Sequence, residues 1–67
     1  MHVLTLREKQ IFDYLLQYYT TQEIALKLNI SQKTVRNHIS NVILKLNVKD
    51  RTQAVLELIR LQEIHLL

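Results

Sequence analysis

Lys33, Arg36, Asn37, Ser40 and Asn41 fall within one short stretch, and every one of these side chains can donate a hydrogen bond. From Ile30 to Leu46 the chain has no Asp or Glu to oppose its three cations, Lys33, Arg36 and Lys45. Placed on a helix at about 100° per residue, Val35, Ile39, Val42, Ile43 and Leu46 lie on one side. Lys33, Asn37, Ser40 and Asn41 lie on the other, flanked by Arg36. Ammonium and guanidinium groups bind phosphate oxygens, and Asn and Ser can bond to base edges, so the polar side has the chemistry to enter a duplex groove. Any amphipathic helix has a solvated face, and periodicity alone does not separate the two readings. The elements before and after the stretch bear on the choice.

Sixty-seven residues make a single domain, and a chain of this length buries only about 60% of its unfolded surface. Little core is available to hollow out into a substrate pocket. There is no cysteine, hence no disulfide framework and no thiolate zinc site. The amino end lacks the basic start and long apolar run of a signal peptide, and no apolar segment reaches the roughly 18 residues that span a bilayer. A soluble chain without a membrane role is expected, in the cytoplasm. Nine Lys and Arg against six Asp and Glu give a net charge of +3 and a pI near 9.5, which favours an anionic partner without naming one.

In chain order, residues 1–4 read as a frayed lead-in, and Thr5 with Glu8 as a capping box opening a helix over 6–18. Thr20 and Glu23 form a second box and a helix over 21–28, with Ile24, Ala25 and Leu28 inward. Of Tyr18 and Tyr19, one ring belongs in the core and the other over a helix end; a stacking platform for bases is the weaker reading. Asn29 closes the second helix in the left-handed conformation, a task that falls to Asn because the chain has no Gly. Ser31 caps a third helix over 32–46, and Asn47 closes it. Asp50, with Gln53, opens a fourth over 51–62. The fold class is therefore all-α with four helices. The second and third are joined by the short turn Asn29-Ile30-Ser31, and the third has a basic polar face, which describes a helix-turn-helix.

On the fourth helix, Ala54, Leu58 and Leu61 form one line, while Val55, Leu56 and Ile59 carry the apolar arc past half the circumference. Either the domain wraps this helix closely or a second copy covers its outer side as a dimer seam, which is the favoured reading. The tail from Glu63 to Leu67 extends that seam or frays.

The stretch from Thr20 to Arg51, T-T-Q-E-I-A-x-x-L-x-I-S-x-K-T-V-R-N-H-I-S-N-x-x-x-K-L-x-V-K-x-R, resembles the LuxR/NarL-type helix-turn-helix of bacterial transcription factors. Leu4-Thr5-Leu6-Arg7-Glu8 is similar to the family's opening L-T-x-R-E, and Arg51-Thr52-Gln53-Ala54 to its R-T-Q-A. The likeness covers residues 4–64. It implies a transcription regulator that places its third helix in the major groove of double-stranded DNA and acts as a homodimer through the fourth, at the nucleoid. RNA polymerase is a further candidate partner, and no cofactor is implied.

Carried over residue by residue, the resemblance puts Arg36, Asn37 and Ser40 at base edges, and the chemistry of Arg for guanine and Asn for adenine agrees. Lys33, Thr34, His38, Asn41 and Lys45 flank them toward phosphates, with Thr21 and Ser31 at helix starts. Each has a plainer reading: Lys33 and Lys45 as solvated charges, Thr34 as first-turn filler, His38 as a packed neutral ring. The homodimer seam would take Val55, Leu56, Ile59 and Glu63. Leu44 lies on the polar face without explanation. Two departures stand out, Tyr18 and Asn47, at positions where the family has Gly. Asn47 tolerates the left-handed conformation, whereas Tyr18 predicts a differently shaped turn.

Two alternatives remain at the sequence level. A sigma-factor-like promoter-binding domain also pairs an E-I-A helix with a reading helix, but works with polymerase. A protein-interaction module would use the apolar fourth helix and leave the basic face incidental. An enzyme is not expected, because no nucleophile and base pair, Gly-rich phosphate loop or carboxylate cluster is present. His2, His38 and His65 are too dispersed to predict a metal site. The chain reads either as a complete regulator or as the output domain of a larger one.

Overall fold

Four helices form where the caps and apolar spacing place them, in a computed structural model that describes residues 2–65. Helix α1 spans Leu6–Leu16, α2 Thr21–Leu28, α3 Gln32–Leu46 and α4 Arg51–Arg60. Thr5 and Thr20 each accept a hydrogen bond from the N–H three residues on, and the Glu8 and Glu23 carboxylates accept one from the N–H of the cap, completing both boxes. At α4 the box is modified. Asp50 accepts from the Gln53 N–H at 2.9 Å, but the Gln53 side chain accepts from the Lys49 N–H at 3.0 Å, one residue further back.

All four helices stop with a residue in the left-handed region, and none of the four is Gly: φ is 69° at Tyr18, 55° at Asn29, 57° at Asn47 and 60° at Gln62. After each, the next N–H reaches back five residues: Tyr19 to Tyr14 O, Ile30 to Ala25 O, Val48 to Ile43 O and Glu63 to Leu58 O, at 2.9–3.2 Å. This is the Schellman closure, which satisfies carbonyls that a helix end leaves open. It also corrects two boundaries. The first helix ends at Leu16 and the fourth at Arg60, each two residues before the expected limit, because Tyr18 and Gln62 reverse the chain. The turn at Tyr18 is not differently shaped: Tyr takes the left-handed conformation itself, its side chain 93% exposed. Tyr19 packs against Tyr14 with ring centroids 4.8 Å apart and the planes tilted by 47°, the apolar contact that accompanies this closure.

Helix α3 packs against each of the other three. Its Val35, Ile39 and Val42 are buried among Ile11 and Phe12 of α1, Ile24 and Ala25 of α2, and Ala54 and Leu58 of α4. Each of the buried Val, Leu, Ile and Phe side chains contributes about 1.5–3 kcal/mol by leaving water. The core also takes in both ends of the chain. Leu4 and Ile64 are buried, so residues 2–4 are not a frayed lead-in and the tail is anchored at Ile64, with Met1, Leu66 and Leu67 outside the described residues. Among the described residues no helix is long and apolar enough to cross a membrane.

Candidate nucleic-acid interface

The exposed polar face of α3 follows from the way the helix is held. Because Val35, Ile39 and Val42 point into the core, Lys33, Arg36, Asn37, Ser40 and Asn41 are turned outward, and all five are exposed. Arg36 has one loose bond, from its guanidinium to Gln32 Oε1 at 3.5 Å, so its fork remains available. Leu44, 77% exposed, stands on the same side. His38 and Thr34 are half-buried along the edges of the face, and Thr21 is half-buried at the first turn of α2.

The start of α3 differs chemically from those of α1 and α2. There the third helical position is Glu, whose carboxylate fills the positive end of the helix. In α3 that position is Thr34, whose N–H donates to Ser31 Oγ at 3.0 Å while the Ser31 hydroxyl donates to Thr34 Oγ1 at 2.9 Å. The end is capped by neutral groups, and α3 has no acidic residue in its first turn. A phosphate approaching this end therefore meets the helix dipole with no carboxylate in front of it.

Two residues expected at interfaces have partners within the chain. The Lys45 ammonium donates to Glu8 Oε1 at 2.6 Å and to the Val3 carbonyl at 2.9 Å, across 37 and 42 positions of sequence. Burial opposes ionisation of Glu8, but the Lys45 ammonium and the Thr5 N–H together outweigh it and hold the carboxyl below its ordinary range. Glu63, expected on the dimer seam, has turned inward. Its Oε1 accepts from the N–H groups of Val3 and Leu4 at 2.8 and 3.1 Å, and its other oxygen lies 3.4 Å from His2 Nδ1. The Leu4 N–H is the largest influence lowering its pKa, which burial opposes; the Val3 N–H and His2 add to the lowering. Sequence reasoning found Glu8 as a cap but missed its second task, and it missed the anchoring by Glu63. Local spacing holds no signal for pairings this far apart. On α4, Val55 and Ile59 are half-buried and Leu56 is 62% exposed. Among the described residues no group of His, Asp and Glu is placed to hold a metal ion.

Comparison with known proteins agrees with this geometry. The model of the family "Bacterial regulatory proteins, luxR family" matches residues 2–58. The spore germination protein GerE of Bacillus subtilis is 58% identical over 64 residues, covering 96% of this chain and 86% of that protein. DegU of Brevibacillus brevis, a transcriptional regulatory protein, is 47% identical over 60 residues, or 90% of this chain. The response regulator VraR of Staphylococcus aureus is 48% identical over 54 residues, or 81% of this chain. The chain spans only about a quarter of these last two, 25% and 26% of their lengths. Among solved structures, that of the transcription factor GerE superposes with a TM-score of 0.94 at 54% identity, covering 97% of both chains. With an outward polar face on α3 that holds no acidic residue, on a four-helix scaffold, and with these matches along most of its length, the chain belongs to the luxR family of bacterial regulatory proteins, DNA-binding transcription regulators rather than enzymes.

Proposed function

We propose that this chain binds specific sites on double-stranded DNA as a homodimer, with α3 lying in the major groove. The observation that carries the reading is the two-sidedness of α3: one face is core, and the other presents Lys33, Arg36, Asn37, Ser40 and Asn41 together without a carboxylate. In this reading Arg36 bonds bidentately to guanine O6 and N7, Asn37 to adenine N6 and N7, and Ser40 to either type of base. Lys33, Thr34, His38 and Asn41 meet phosphates beside them, with Ser31 and Thr21 at the two helix starts. The dimer seam is Val55, Leu56 and Ile59, where α4 leaves apolar surface in solvent. Such a regulator works in the cytoplasm, on the nucleoid.

Selecting bound duplexes from a random pool tests this in one experiment. The expected consensus has two symmetric half-sites, as a two-fold dimer requires. Arg36→Ala should lose preference at one base pair of each half-site, worth roughly 1–3 kcal/mol. A consensus with one unrepeated site overturns the homodimer, and no enrichment overturns the regulator reading in favour of an interaction module. Enrichment that needs added polymerase favours the sigma-factor-like alternative.

A further inference from the structure

We propose that Lys45 is a positioning residue for the reading helix, and that Glu8 withholds its charge from the DNA backbone. The proposal rests on the reading of α3 as the groove-binding helix. An ammonium has three donors, and two of those of Lys45 are taken, by Glu8 Oε1 at 2.6 Å and the Val3 carbonyl at 2.9 Å. Glu8 is the buried charged residue of the core region, its side chain 7% exposed. Drawing Lys45 toward a phosphate would leave that carboxylate covered and without its counter-charge, the costly way to break such a pair. Lys33 and Arg36, by contrast, have no carboxylate partner to give up among the described residues.

What the pair does for DNA binding is geometric. Lys45 lies in the last turn of α3, Glu8 in the first turn of α1, and Val3 in the segment before it. Joined, they fix the far end of α3 to the scaffold, and so fix the direction in which Arg36 and Asn37 project. The Glu63 bonds to Val3 and Leu4 hold that same segment from its other side.

Salt dependence separates a positioning lysine from a phosphate ligand, because log Kobs falls with log salt by about 0.9 for each phosphate neutralised. Binding would be measured against salt for the selected duplex and for a random duplex. Lys33→Met should lower the slope by about 0.9. Lys45→Met should leave the slope unchanged, weaken the selected duplex and spare the random one. Glu8→Gln should free the Lys45 ammonium and raise the slope by about 0.9, a change that loss of structure alone would not produce. Should either variant fail to fold, the ammonium resonances of the wild-type chain decide: on adding duplex, Lys33 should shift and Lys45 should not. A Lys45→Met slope reduced like that of Lys33→Met, an unchanged slope in Glu8→Gln, or a shifted Lys45 resonance overturns the proposal. If the wild-type chain binds no duplex at all, the reading of α3 itself has failed, and this proposal with it.

Discussion

Tyr18 shows at the scale of one residue why the helix ends were only partly legible. An L-residue in the left-handed region brings Cβ close to the following carbonyl oxygen, which costs roughly 1–2 kcal/mol, and Asn offsets this with local hydrogen bonding where Tyr and Gln do not. Asn29 and Asn47 could therefore be read directly from the sequence, and both helices they close end where expected. Tyr18 and Gln62 carry no such preference, and the helices they close were read two residues too long. At Tyr18 the closure is accompanied by the contact of the Tyr19 ring with Tyr14. Since the Tyr18 side chain touches little, Tyr18→Gly should remove the backbone cost at small loss of contact. The greater freedom of Gly in the unfolded chain returns about 0.4–1 kcal/mol of that gain. The expected outcome is a net stabilisation of up to about 1.6 kcal/mol, read as a higher urea midpoint at unchanged slope. A lower midpoint would mean that Tyr18 makes contacts that its exposure conceals.

At the scale of the element, α3 shows a division between what folds the helix and what it presents. Its limits, its core face and its exposed polar face all follow from 3.6-residue periodicity and a Ser cap, so which side chains it turns outward was legible almost entirely. The fate of Lys45 was not, because a helical wheel shows which side a charge lies on and nothing of a carboxylate 37 positions away. The neutral start of α3 lends itself to a test. Asp caps helices about as well as Ser and favours the helix dipole by about 0.3–1 kcal/mol, so Ser31→Asp should keep or slightly raise stability. It also sets a carboxylate where a phosphate would approach. Affinity for duplex should therefore fall while the thermal midpoint holds or rises. If both are unchanged, the start of α3 does not approach the DNA backbone.

The whole molecule is closed by groups from its two ends, and there sequence reading was weakest. Residues 1–4 read as frayed, and the tail as frayed or part of a dimer seam, yet Leu4 and Ile64 are buried and Glu63 bridges the two segments through the Val3 and Leu4 amides. Pairings between distant parts depend on the final packing and leave no local trace. They do leave a signature in pH. For Glu63 the Leu4 N–H, the Val3 N–H and His2 favour the charged carboxylate over the opposing burial, and for Glu8 burial is outweighed by Lys45 and Thr5. Both folded pKa values therefore lie below the ordinary 4.5. The unfolded chain then binds protons first as pH falls. The stability these groups add is fully present above the ordinary value and is lost as pH drops through their folded values. Stability measured by urea unfolding should stay level through neutral pH in this respect and decline below about pH 4.5. Glu8→Gln and Glu63→Gln should each start less stable at neutral pH and decline less steeply in acid. Because the same groups hold the end of α3, duplex binding measured at fixed salt should weaken over the acid range where the clamp opens, and Glu8→Gln should flatten that dependence as well. Parallel acid declines in the wild-type chain and both variants would show that the clamp joining the ends contributes nothing to holding the molecule closed.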